Sequence, residues 1–249
     1  MRRRSSEYTY VTPESELKMK TLGIIGGIGP ESTIDYYRLL LAAYRERTRD
    51  GSAPAILINS IDMDRMLGMI AAGEVEKMTQ YLVSEVLKLA RAGADFVLMA
   101  ANTPHIAFAE ISRQSPIPMI SIVEAACQTA KALRLKKLGL FGTRFTMQGN
   151  FFPEIFSREA IELVVPDDQE QSYIHEKYMN ELGKGVFLPE TRIGMLEIAE
   201  RMKKQNGIDG LILAGTELPL ILRDATQLGI PVLDTTKIHV QAAVTRLLE

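Results

Sequence analysis

The sequence has one cysteine, Cys127, among 249 residues, so no disulfide can form within the chain. That scarcity predicts a reducing, cytoplasmic setting. Histidine is scarce as well. His105, His175 and His239 show no H-x-x-H or H-E-x-x-H spacing, which argues against a metal site. There is no G-x-S-x-G elbow and no credible Ser–His–Asp arrangement. No apolar stretch reaches the ~18–20 residues that a membrane-spanning helix needs. Lys and Arg total 29 against 31 for Asp and Glu, and a net charge of −2 gives no electrostatic case for nucleic acid or an anionic membrane as partner. Met1-Arg2-Arg3-Arg4 is not followed by an apolar core segment before Met19, so residues 1–18 read as a polar N-terminal extension rather than a secretory signal.

What is present is ordinary globular material, 46% hydrophobic and 24% charged. The length suits one large domain or two small ones. Short apolar runs alternate with longer stretches of helical period. Leu22–Gly26, Ala55–Ile58, Asp95–Ala100 and Met119–Ile122 read as strands, as do Leu138–Phe141, Leu163–Val165, Gly210–Ala214 and Val232–Asp234. Residues 31–47 place Ile34, Tyr37, Leu41 and Tyr44 on one helical face, and 75–91 do so with Met78, Leu82, Val86 and Leu89. Near-continuous apolar strands separated by helices imply a parallel sheet covered on both faces. Cys127 falls in a helical stretch, 122–134, and reads as a small buried apolar side chain with nothing evident to lower its pKa.

An internal repeat divides the chain. Lys20-Thr-Leu-Gly-Ile-Ile-Gly-Gly27 resembles Lys136-Lys-Leu-Gly-Leu-Phe-Gly-Thr143. The segment beginning at Asp95 resembles that beginning at Asp209, and Ile117-Pro-Met-Ile-Ser121 resembles Ile230-Pro-Val-Leu-Asp234. Matches in one order at nearly constant spacing predict two pseudo-symmetric parallel-sheet three-layer (αβα) domains with a ligand cleft between them. The first comprises 19–117 plus 228–249 and the second 118–227. Ligands of parallel sheets bind beyond the carboxyl ends of the strands. The cleft should therefore be lined by loops 26–33, 101–105, 142–148 and 215–219, with Ala101 opposite Gly215.

Those loops are rich in small and polar groups. Gly26-Gly27-Ile28-Gly29-Pro30-Glu31-Ser32-Thr33 offers backbone N–H groups and a helix start to an anion. The same glycines equally suit a tight turn needing φ > 0. Without a G-x-G-x-x-G pattern or a P-loop lysine, a nucleotide is not indicated. Asn102, Thr103, Thr143, Thr146, Thr216 and Glu217 stand at strand ends, where amide and hydroxyl groups can hold a carboxylate without a cofactor. Each alone is more often a cap or turn residue; their symmetric placement is the stronger observation. Ser121 and Glu124 have capping-box spacing. His105, just after Pro104, could reach the cleft, although a lone histidine is more often a cap or a supporting partner.

As a set, Gly-Gly-x-Gly-Pro-Glu-x-Thr, Asn-Thr-x-His and Thr-Glu, in that order, resemble the cofactor-independent aspartate/glutamate racemases over nearly all of residues 20–249. The resemblance implies a PLP-independent amino-acid racemase, an isomerase, binding a dicarboxylate or amino dicarboxylate and commonly dimeric. It further implies that Arg65 meets a substrate carboxylate and that Thr143 and Thr146 form the partner site. Lys184 stands one position out of register with the family's second cation. In the family two cysteines act from opposite faces of the α-carbon, one preceding Asn-Thr and the other preceding Thr-Glu. Here those positions are Ala101 and Gly215. Neither side chain carries a proton, so two-cysteine racemisation is not expected. The alternatives are a non-catalytic carboxylate-binding protein, or different chemistry by Glu217, His105, the threonine hydroxyls or a water.

Overall fold

A computed structural model describes residues 19–249; the extension expected over 1–18 lies outside them. The first half of the chain runs β1 (Thr21–Gly26), α1 (Pro30–Thr48), β2 (Ala55–Ser60), α2 (Met63–Ala71), α3 (Val75–Arg91), β3 (Phe96–Met99), α4 (Phe108–Gln114) and β4 (Met119–Ile120). The second runs α5 (Ile122–Ala132), β5 (Lys137–Gly142), α6 (Arg144–Gln148), α7 (Phe151–Ser157), β6 (Glu162–Val164), α8 (Asp168–Asn180), α9 (Pro189–Asn206), β7 (Gly210–Ala214), α10 (Leu218–Leu222), β8 (Val232–Asp234) and α11 (Thr235–Leu247). The strands form two four-stranded sheets, β2-β1-β3-β4 and β6-β5-β7-β8, with every pair parallel. Each expected strand is present within a residue or two. The exception in kind is Ile122, which begins α5 instead of ending β4.

The two-residue alternation of side chains sorts each strand between two helical layers. Along β3, Phe96 and Leu98 pack with Tyr36 and Leu40 of α1 and with Val240 and Val244 of α11. Val97 and Met99 turn the other way, toward Met66 of α2, Leu82 of α3 and Ile111 of α4. In β7, Leu211 and Leu213 meet Ile174 of α8 and Met195 of α9, while Ile212 meets Ala126 of α5 and Phe152 of α7. Each fully buried side chain of this kind contributes roughly 1.5–3 kcal/mol. The fold is therefore two three-layer αβα units of the same plan.

Elements at equivalent places in the repeat do equivalent work. Asp95 accepts the Thr21 N–H at 2.7 Å, and Asp209 accepts those of Lys136 and Lys137 at 2.7 and 3.0 Å, each tying a strand start to its neighbour. Ser121 caps α5 by accepting the Glu124 N–H, and Asp234 caps α11 by accepting the Lys237 N–H. At these two caps the chain changes halves, because α5 packs on the second sheet and α11 on the first. Hydrogen bonding places β4 in the first sheet and β8 in the second, a few residues past the breaks expected at 117/118 and 227/228.

The face expected for α1 needs correction. Tyr36, Leu40, Ala43 and Tyr44 are buried, whereas Ile34 and Tyr37 are exposed. The helix is apolar on more than one side, so two registers satisfy the helical period, and contact with α11 selects one. The face expected for α3, with Met78, Leu82, Val86 and Leu89, is buried. Among the described residues no helix is long and apolar enough to cross a membrane.

Candidate functional site

The carboxyl ends of β1, β3, β5 and β7 face one cavity of about 300 Å³ between the halves. All four expected loops reach it, through Ile28 and Gly29, Ala101 to Thr103, Thr143 and Phe145, and Gly215 to Glu217. Two further elements close it. The start of α2 brings Met63, Asp64 and Leu67, and the end of α8 with the turn after it brings Tyr178, Met179, Gly183 and Lys184.

Local geometry explains why glycine stands at Gly29. Its φ is +85°, in the left-handed region, and a Cβ there would strike Glu217 Oε1 from the other half. Glu217 itself is buried, and its Oε2 accepts hydrogen bonds from the Tyr178 hydroxyl and, at 2.9 Å, from the Thr216 hydroxyl. Burial pushes the Glu217 carboxyl above its usual range, against the lowering effect of those two donors. The Tyr178 phenol is also raised, first by burial and then by the neighbouring Glu217 charge. The pair is a buried, hydrogen-bonded acid and phenol that spans the second half's side of the cavity wall.

Hydroxyl groups join the halves across the cavity floor. Thr103 Oγ1 lies 3.4 Å from Thr143 Oγ1, which lies 3.3 Å from Thr146 Oγ1. Thr146 sits behind Thr143 and does not itself line the cavity. Asn102 donates to Thr235 Oγ1 at 3.2 Å, while its own Oδ1, buried, has no partner.

Besides Thr146, two expected site residues lie off the cavity wall. Arg65 is exposed on α2 with its guanidinium 4.3 Å above the Tyr81 ring, a cation–π contact that turns it away from the cavity. Sequence position put it on the correct helix, but the direction of its side chain is decided by Tyr81 on α3. His105 lies behind the cavity wall, stacked on Phe108, and its Nε2 accepts the Ile122 N–H at 3.2 Å. Burial, then the nearby His239, brings its pKa down to about 3, so it is a neutral supporting group at the seam. Conversely, Tyr178 carries no motif in the sequence. It meets Glu217 across 39 residues, a contact that only the packing of α8 creates.

Cys127 is buried in the layer of α5 and α7, its Sγ 3.9 Å from the Ile155 carbonyl, and is not on the cavity wall. Burial, then Glu159, pushes its thiol up, away from thiolate chemistry. Among the described residues no cluster of three His, Cys, Asp or Glu could hold a metal.

Fold and cavity define a class: a pseudo-symmetric two-domain α/β protein with a cavity where the strand ends of its two sheets meet. Residues 25–243 match the model of the Asp/Glu/Hydantoin racemase family, and the chain belongs to that family. It is 26% identical over 244 residues to the broad specificity amino-acid racemase RacX of Bacillus subtilis (strain 168), covering 91% of this chain and 98% of that protein. A candidate Asp/Glu racemase from Yersinia pestis superposes with a TM-score of 0.85 at 30% identity, covering 93% of this chain and all (100%) of that one. An aspartate racemase homologue from Pyrococcus horikoshii OT3 gives 0.81 at 31%, again covering 93% and 100%.

Proposed function

We propose that the chain binds a small carboxylate in this cavity and does not carry out two-thiol racemisation. The resemblance puts forward dicarboxylates and amino dicarboxylates as its ligands. The observation that carries the reading is the pair of positions preceding Asn102-Thr103 and Thr216-Glu217. Ala101 and Gly215 both line the cavity and offer no ionisable atom, and the resemblance puts them where the family has its two cysteines. Substitution at the second position is supported by space as well as identity. A Cβ on Gly215 would lie 2.5 Å from Tyr178 Cε2 and 3.2 Å from Leu218 Cδ1, so the tyrosine ring fills the volume that a cysteine would need.

The remaining wall keeps the parts that bind. Asn102, Thr103, Thr143 and Thr216 supply neutral donors and acceptors at the cavity floor, and Lys184 supplies a cation at its edge. An α-proton is very weakly acidic, and a positioned base contributes about 10²–10⁴-fold to its removal. Threonine hydroxyls and an amide cannot act as that base near neutral pH. We expect aspartate and glutamate in deuterated water to show no α-proton exchange above a protein-free blank by proton NMR. A second reading, one-sided acid–base chemistry, is favoured by the Tyr178–Glu217 hydrogen bond within the wall. Exchange that survives repurification and disappears in Glu217→Gln would establish it in place of the first.

A further inference from the structure

The charges on the cavity wall bear on what side chain the ligand carries. Among the described residues lining the cavity, Lys184 is the sole cation, against the acidic Asp64 and Glu217. Arg65, the residue expected to meet a second carboxylate, lies over Tyr81 instead. A ligand with two carboxylates would bring two negative charges into a cleft that has one positive partner and already holds acids. Burying an unpaired charge is strongly unfavourable.

The rest of the wall is apolar: Ile28, Met63, Leu67, Phe145 and Met179, with the ring of Tyr178. A volume of about 300 Å³ is at the lower end for a small-molecule site, and its walls offer a carbon chain contacts that a short diacid does not use. At the polar end, Asn102 is buried at 3% exposure, and its Oδ1 is an acceptor without a donor. Buried acceptors are almost always partnered, and a small turn of this amide would open its oxygen to an N–H of the ligand.

We propose that the ligand is an α-amino acid without net charge that carries an apolar side chain. Its ammonium donates to Asn102 Oδ1 and to the Glu217 carboxyl. Its carboxylate accepts from the hydroxyls of Thr103 and Thr143, and its side chain lies against Met63, Leu67, Phe145 and Met179. This assignment deepens the small-carboxylate reading and rests on it.

The test is calorimetric titration of the full chain with both enantiomers of methionine and phenylalanine, and with aspartate, glutamate and succinate. At least one enantiomer of methionine or phenylalanine should bind ten-fold or more tightly than any of the three acidic compounds. Met63→Arg, which adds a cation to the apolar wall, should shrink that ratio or reverse it. If aspartate, glutamate or succinate binds as tightly as the apolar amino acids, the assignment fails while the small-carboxylate reading stands. If none of the compounds binds, both fail. An unchanged ratio in a folded Met63→Arg protein would overturn the placement of the side chain.

Discussion

The two walls of the cleft come from equivalent places in a repeated fold, yet they are not chemically equivalent. The first half presents Ile28, Gly29, Met63, Asp64, Leu67 and the run Ala101 to Thr103. The second presents a buried acid–phenol pair, Glu217 and Tyr178, together with Lys184. Symmetry survives in the scaffold, where Asp95 matches Asp209 and Ser121 matches Asp234, because every strand start and crossover needs the same backbone donors satisfied. It is lost where side chains line the cavity. A two-base reaction needs a proton-carrying group on each face of the α-carbon, and the proposed binding role rests on the absence of such a group at Ala101 and Gly215.

The largest expected effect comes from trying to restore the match. Ala101→Cys with Gly215→Cys supplies two thiols, but the second must share space with the Tyr178 ring. Overpacking of this kind typically costs about 1–3 kcal/mol and forces side chains from their rotamers. The double variant should therefore melt below the parent and give little α-proton exchange. Adding Tyr178→Ala should release the second thiol and raise exchange by ~10² or more, the scale of one positioned base. Proton NMR in deuterated water on parent, double and triple variants reads this directly. Equal exchange by double and triple would mean that Tyr178 does not occupy the second position.

A second prediction concerns the seam behind the cleft, where α11 crosses onto the first half. The Tyr36 hydroxyl donates to His239 Nδ1 at 2.9 Å, and His239 Nε2 donates to the Ile120 carbonyl at 3.0 Å. Burial holds the His239 pKa at about 4, and His105 titrates at about 3. Unfolded histidine titrates at ~6.5, so below that pH the unfolded chain takes up protons that the folded chain refuses. Stability should be at its fullest above pH ~6.5 and fall as the pH drops toward the folded values. Between pH 7 and pH 5 the two groups together should cost about 4 kcal/mol, and His239→Gln should roughly halve that loss. Urea unfolding at the two pH values measures it. A loss as large in His239→Gln as in the parent would remove His239 from the account.

Much of the fold was legible because parallel strands buried on both faces are runs of apolar residues with glycine or polar stops. Such a run as Phe96–Met99 has no amphipathic alternative. The repeat added the pairing of the halves, and hence the cavity's position. Side-chain direction was not legible. Arg65 lies on the expected helix but turns to Tyr81; His105 lies in the expected loop but packs under Ile122 and Phe108. Tyr178 was invisible, since nothing in its own helix marks it and its partner Glu217 is reached only through the packing of α8. The α1 face was ambiguous for the same reason, since it depends on contact with α11, far along the chain.

The smallest expected effect asks how far scaffold symmetry extends into packing. Gly23 and Gly139 occupy the same place in the repeated strand, and a Cβ on either would be crowded. At Gly23 it would lie 2.9 Å from Val97 Cγ2, 3.0 Å from Ala94 Cβ and 3.3 Å from Leu89 Cβ. At Gly139 it would lie 2.9 Å from Ile208 Cδ1, 3.1 Å from Leu211 Cδ1 and 3.3 Å from Met202 Cε. The distances are nearly alike, but the neighbours differ in freedom. Around Gly23 two of the three atoms are Cβ atoms, fixed to the backbone, and the third belongs to a β-branched valine with a stiff χ1. Around Gly139 all three are terminal methyl groups of longer side chains, which can swing by a few tenths of an ångström. Gly23→Ala should therefore cost about 1–3 kcal/mol, the usual range for overpacking a dense core, and Gly139→Ala less than about 1 kcal/mol. Urea melts of the two variants against the parent, compared at equal m-value, give the difference. Equal costs would mean that the two cores yield alike, and that the asymmetry of the halves is confined to the cleft.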